Sequence, residues 1–111
     1  VTDESPTRAS VDGVLTALAD PMRRELLDLL AAKGEATATA LAADVAVSRQ
    51  AVLKHLTVLA NAGLVTQYRA GREVRFQVAS DHLAATARWM AALAADWDRR
   101  LRSLKSRAEN I

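Results

Sequence analysis

From residue 83 to residue 104 the chain keeps one period: Leu83, Ala87, Met90, Ala94, Trp97, Leu101 and Leu104 follow at steps of four and three without a break. Residues so spaced share one side of an α-helix, and three heptads of them make a seam of coiled-coil type. Ser80 and Asp81 offer a cap, and the helix is expected to run to about Ala108. A helix of this length exceeds what one small domain covers. Part of the seam is therefore expected to meet a second copy, the alternative being packing within one molecule along its whole length. Trp89 and Leu93 widen the apolar face. Asp96 with Arg100 and Asp98 with Arg102 are spaced as i,i+4 pairs on its outer side, each contributing about 0.2–0.5 kcal/mol.

The rest of the chain has to supply the body from which that helix grows. With 111 residues, half of them hydrophobic, it fits one domain better than two. Alanine is abundant and aromatic residues make up 4%, which favours helices over an extensive sheet. The absence of cysteine excludes disulfides, Cys-ligated zinc, iron–sulfur clusters and thiol redox sensing. No run approaches the length of a membrane span and no signal peptide opens the chain, so the expected location is the cytoplasm, next to the nucleoid if DNA is the partner.

Residues 1–10, with Pro6 and little apolar content, read as a flexible arm, and residues 11–108 as the domain. A first helix over residues 11–19 carries Val14, Leu15 and Leu18 on one side. Asp20-Pro21 starts a second, because aspartate caps and proline suits the first helical position. Met22, Leu26, Leu27, Leu29 and Leu30 form its apolar face, and Gly34 ends it. Residues 35–37 suit a single short strand. Thr37 or Thr39 can cap a third helix that carries Leu41 and Val45 and ends near Ala46.

Ser48 then caps a fourth helix, on which Val52, Leu56 and Leu59, with Leu53 beside them, form a buried-type stripe until Gly63. Ser48, Arg49, Gln50 and Lys54 gather at its N-terminal end, largely off that stripe, and nearly all of them can donate hydrogen bonds. Two short helices joined by about three residues, the second donor-rich at its start, form a helix-turn-helix pattern, although the turn lacks the glycine often found there. After Gly63 the period falls to two. Residues 64–69 and 73–78 are β-prone, Val74, Phe76 and Val78 alternating with Glu73, Arg75 and Gln77, and Ala70-Gly71-Arg72 joins them as a hairpin.

That hairpin carries Arg69, Arg72 and Arg75 at or near its tip, as a wing that grips phosphates or the adjacent minor groove would. The plainer alternative is a ribbon whose arginines guard exposed edges. Charge distribution favours the wing. Residues 1–40 hold four basic and seven acidic side chains, a balance of −3, whereas residues 41–80 hold five basic and two acidic, a balance of +3. Positive charge collects around the fourth helix and the hairpin.

Enzymatic chemistry finds no foothold. Four scattered glycines form no phosphate-cradling loop. His55 and His82 have no partner at a recognisable catalytic spacing. Asp81-His82 reads as a helix start, and neighbouring residues assemble no zinc site, the alternative being a site to which carboxylates contribute across a dimer interface. No cofactor and no metal is expected.

Taken together, residues 17–27 (Ala-Leu-Ala-Asp-Pro-Met-Arg-Arg-Glu-Leu-Leu) resemble the opening signature of the ArsR/SmtB family of bacterial winged-helix repressors. Residues 47–56 (Val-Ser-Arg-Gln-Ala-Val-Leu-Lys-His-Leu), with Leu59 and Ala62-Gly63-Leu64-Val65, resemble its recognition helix, and Arg69-Ala70-Gly71-Arg72 its wing, Phe76 standing where tyrosine is usual. The resemblance spans residues 11–106. It implies a mainly α winged helix-turn-helix of about five helices with a small β-hairpin. It further implies a homodimer packed through its first and last helices, binding a near-palindromic operator and usually repressing. Metal-sensing members carry a Glu-Leu-Cys-x-Cys-type motif before or within the third helix; here Glu35-Ala36-Thr37-Ala38-Thr39 has threonine at both thiolate positions. Zinc-binding members that use the last helix need histidines this helix lacks beyond His82.

On this reading Arg49, Gln50 and Lys54 reach base edges, and arginine on guanine or glutamine on adenine is each worth about 1–3 kcal/mol of discrimination. Ser48 meets phosphate at the helix N-terminus, and His55 is expected either at the edge of the core or on a further phosphate. Arg69, Arg72 and Arg75 supply salt-sensitive attraction. The dimer interface is expected from Leu15, Leu18, Leu83, Ala87, Met90, Ala94, Trp97, Leu101 and Leu104. Two rival functions stay open: a sensor of metal or small ligand, its effector unknown, and a winged module that binds protein or RNA.

Overall fold

A computed structural model of the chain describes residues 8–110; residues 1–7 of the expected arm lie outside the described residues. In chain order the elements are α1 (Arg8–Leu18), α2 (Pro21–Lys33), β1 (Ala36–Thr37), α3 (Ala38–Ala42), α4 (Arg49–Asn61), β2 (Val65–Ala70), β3 (Glu73–Val78) and α5 (Asp81–Glu109). The first helix thus takes in Arg8–Ser10 from the stretch read as an arm.

One short segment starts α2 and finishes α1. Asp20 is extended and its carboxylate accepts from the backbone N–H of Met22 at 2.8 Å and Arg23 at 3.3 Å. Burial raises its carboxyl, but the N–H groups of Arg23 and Met22 and the charge of Arg23 outweigh this and hold it below the ordinary value. Looking the other way, Arg23 donates to the carbonyls of Ala17 (2.7 Å) and Thr16 (3.0 Å), and Arg24 to that of Leu18 (2.6 Å). These carbonyls lie in the last turn of α1, where Thr16 O also accepts from Ala19 N at 3.2 Å, and the two arginines bring positive charge and donors to its negative end.

The apolar stripes meet behind this junction. Val14 and Ala17 of α1, Leu26 and Leu30 of α2, Leu41 of α3, and Val52, Leu56 and Leu59 of α4 are fully buried in one cluster. Phe76 of β3 closes it from the sheet side at 4% exposure, while Val74 and Val78 on the same strand stay more than a third exposed. Strand order is β1-β3-β2, all antiparallel, with Ala36 opposite Phe76 and Val65 opposite Val78. The hairpin turn is tighter than the sequence suggested: Ala70 pairs with Glu73, leaving two residues at the turn. Gly71 takes φ 65° and no other residue type in the described chain has positive φ, the pattern of a II′ turn, whose twist suits the strands.

Two local expectations are corrected and one open alternative is decided. The third helix ends at Ala42, not near Ala46, so the connection to α4 is residues 43–48 and Val45 lies half-buried in it. Thr37, of the two threonines, caps α3, its Oγ1 accepting from Ala40 N at 3.1 Å. Ser80 precedes α5 without a side-chain cap bond, its backbone already helical at φ −103°, ψ −5°.

At the α4–β2 corner, Gly63 has φ 77°, and a Cβ there would fall 2.6 Å from the His82 ring. Glycine is required twice over, by its conformation and by the start of α5 that lies across it. Beyond, α5 packs on α1 over only part of its length. Thr86 is its one buried residue, and the hydroxyl is satisfied by donating to His82 O at 2.9 Å. Asp96 pairs with Arg100 at 3.1 Å as spaced, and also with Arg99 at 3.5 Å, but no such pair forms between Asp98 and Arg102.

Candidate nucleic-acid interface

The helix-turn-helix and the hairpin put their polar surfaces on one side. Ser48 Oγ accepts from Ala51 N at 3.1 Å, which caps α4 and directs the next residues outward. Arg49, Gln50 and Lys54 are exposed, while Val52, Leu56 and Leu59 on the opposite side anchor the helix. A half-open concavity of about 660 Å³ separates α3 and the start of α4 from the hairpin. Thr37, Thr39 and Arg49 line one wall, and Gln67, Arg72 and Glu73 the other. Arg69 is exposed on β2, two positions before the turn.

Arg49 and Arg72 are therefore brought together around one opening, whereas Gln50 and Lys54, exposed on α4, and Arg69 on β2 do not line it. Thr39, Gln67 and Glu73 also face this space and were missed in the sequence. Their types carry no signal; only the fold assembles them.

Two expected phosphate contacts lie elsewhere. Arg75 does not stand free near the tip. Its Nη1 donates to Glu35 Oε1 at 2.8 Å and its Nη2 to Glu73 Oε1 at 3.3 Å, with Nε buried and unpartnered. Glu35 also accepts from Tyr68 Oη and from Gln77 Nε2 at 3.0 Å, which ties the end of α2 to both hairpin strands. The Tyr68 hydroxyl above all, then the Gln77 amide and the Arg75 guanidinium, hold the Glu35 carboxyl down at about 2. The same bond to Glu35 raises the Tyr68 hydroxyl, and bonds to Glu35 and Glu73 raise Arg75. A guanidinium set between two carboxylates has little net charge left for phosphate. His55 is likewise half-buried, its Nδ1 3.5 Å from Arg23 Nη1 at the α1–α2 junction. It braces the inner flank of α4.

A second surface is apolar. Leu15 on α1 and Leu83, Met90, Trp97, Leu101 and Leu104 on α5 are 40–63% exposed, Ala87 and Ala94 are exposed between them, and Leu18 is half-buried. Among the described residues no helix is long and apolar enough to cross a membrane, and no three His, Cys, Asp or Glu gather as metal ligands.

A capped helix buried on one side and donor-rich on the other, next to a basic hairpin, defines a winged helix-turn-helix DNA-binding protein. Residues 18–68 match the family described as a helix-turn-helix domain. The chain is 40% identical to an ArsR-like transcriptional regulator from Rhodococcus sp. RHA1, with TM-score 0.81 over 88% of this chain and 92% of that one. The transcriptional repressor SdpR of Bacillus subtilis (strain 168) is 30% identical over 80 residues, 72% of this chain and 88% of SdpR. A homodimeric winged helix-turn-helix DNA-binding domain from Mycobacterium bovis, a possible ArsR-family regulator, is 30% identical with TM-score 0.61, over 84% of this chain and 82% of that one. The chain belongs to the ArsR-like family of winged helix-turn-helix transcriptional regulators.

Proposed function

We propose that two copies of this chain form a repressor of a near-palindromic operator, residues 11–108 serving as one DNA-binding and dimerisation unit. In each copy α4 enters a major groove, where Arg49, Gln50 and Lys54 reach base edges, and Arg69 and Arg72 hold phosphate alongside. Ser48 and the free N–H groups of the first turn meet the backbone. The observation that carries this reading is the pairing of exposed Arg49 on α4 with exposed Arg72 on the hairpin across one concavity of about 660 Å³. SdpR, a repressor, and the homodimeric relative support the rest.

The exposed apolar residues of α1 and α5 supply a surface for the second copy. The protein works by occupying DNA, in the cytoplasm beside the nucleoid, and not by catalysis. Thr37 and Thr39 stand where metal-sensing members resembling this chain have thiolates, which supports a regulator without that metal switch.

A gel shift with duplex from upstream of the chain's own gene tests the proposal. One discrete, salt-sensitive complex is expected on specific sequence, well above that on random DNA. Gln50→Ala should relax preference at one position per half-site. Failure to prefer any duplex over random sequence, including duplexes selected from a library, would overturn it.

A further inference from the structure

Thr39 and Arg49 meet across the helix-turn-helix. Arg49 Nε donates to Thr39 Oγ1 at 3.0 Å, and both side chains are exposed on the wall of the concavity facing the hairpin. We infer that Thr39 is a positioning residue for base recognition, holding the Arg49 guanidinium so that its two terminal nitrogens face the groove floor. The inference rests on the reading of α4 as the helix that meets base edges.

An arginine at the first position of a helix sweeps a wide arc unless something stops it. Ordering such a side chain only when DNA arrives weakens binding by about twofold to tenfold. The Thr39 hydroxyl removes much of that penalty beforehand. It also selects which donors remain. With Nε engaged, the side-on pair of Nε and Nη is closed, and the end-on pair of Nη1 and Nη2 is left to span guanine O6 and N7. Thr39 can do this because its own backbone is fixed: Thr37 caps α3, and Ala43 N bonds back to Thr39 O at 3.3 Å. The bond joins the two helices across a six-residue connection, residues 43–48, with Leu41 of α3 and Val52 of α4 buried in one cluster behind it. Phosphate contacts such as those of Arg72 gain nothing from it, since they accept a cation from many directions. Thr39 should therefore affect discrimination, not general attraction.

The test uses the full chain and a duplex enriched by it from a random-sequence library, with every single-base-pair variant of that duplex and a random duplex as control. Arg49→Ala should flatten discrimination at one base pair per half-site. Thr39→Val should lower discrimination at that same pair by about threefold to tenfold, with binding to the random duplex and the melting temperature unchanged. Thr39→Ser should retain it, and Thr39→Val should add nothing in the Arg49→Ala background. Loss with Arg49→Ala but not with Thr39→Val overturns the inference and leaves α4 as the reading helix. An equal loss on every duplex with Thr39→Val also overturns it, as a defect of fold. Arg49→Ala without effect at any base pair overturns both.

Discussion

In α4, Val52, Leu56 and Leu59 recur at steps of four and three and are fully buried; in α5, Met90, Ala94, Trp97 and Leu101 recur in the same way and stand in water. Periodicity says which residues share a side of a helix, and nothing about what will lie against it. For α4 the covering comes from α3, β2, α1 and α2. For α5 it comes from α1 along the part that includes Thr86 and Leu93, and the apolar residues beyond stay exposed among the described residues. A large apolar side chain moved from water to a packed interior gains about 1.5–3 kcal/mol. The first stripe collects that gain within one molecule. The second finds no such cover among the described residues, and the proposed second copy would supply it.

That contrast can be broken at several points. Leu56→Ala should destabilise the fold by about 2–5 kcal/mol, measured by chemical denaturation, and by the same amount at every protein concentration. Leu101→Glu or Trp97→Asp should leave the core folded, yield monomers in sedimentation and greatly weaken operator binding; an intact dimer would remove this row from the interface. Gly63→Ala, at the joint between the two regions, should lose about 1–2 kcal/mol for its left-handed backbone, with a further loss that His82→Ala relieves. Acid addresses the core side alone. The Glu35 carboxyl lies at about 2 in the folded chain against an ordinary 4.5, so the unfolded chain binds more protons between those values. Stability should rise with pH through that window and level off above it, and Glu35→Gln should remove this part of the dependence. The smallest contrast is within the hairpin. Arg72→Ala should reduce the salt slope of DNA binding by about 1.8 for the dimer, about 0.9 for each copy, whereas Arg75→Ala should leave it unchanged.

The pair of arginines also marks how far the site was legible. Both belong to a basic hairpin, and in sequence they are equivalent. Arg72 stays exposed because it sits at the turn itself. Arg75 is taken up by Glu35, 40 residues earlier, which β1 brings alongside β3. His55 differs from its neighbour Lys54 for the same reason, since Arg23 lies 32 residues away in sequence and 3.5 Å away in space. Thr86 was passed over because a polar residue sends no burial signal, although its hydroxyl is satisfied one turn back.

What the sequence determined by itself is everything that depends on a few adjacent residues. Asp20, Thr37 and Ser48 start helices because their oxygens reach N–H groups two or three positions on. Gly63 and Gly71 turn the chain because only glycine takes those angles cheaply. The apolar sides of α2, α4 and α5 follow from spacing alone. What only the tertiary structure decided is which charges remain free, which polar groups are buried, and where the covering of α5 stops. Each of those depends on atoms many residues apart, brought together after the local pieces have formed.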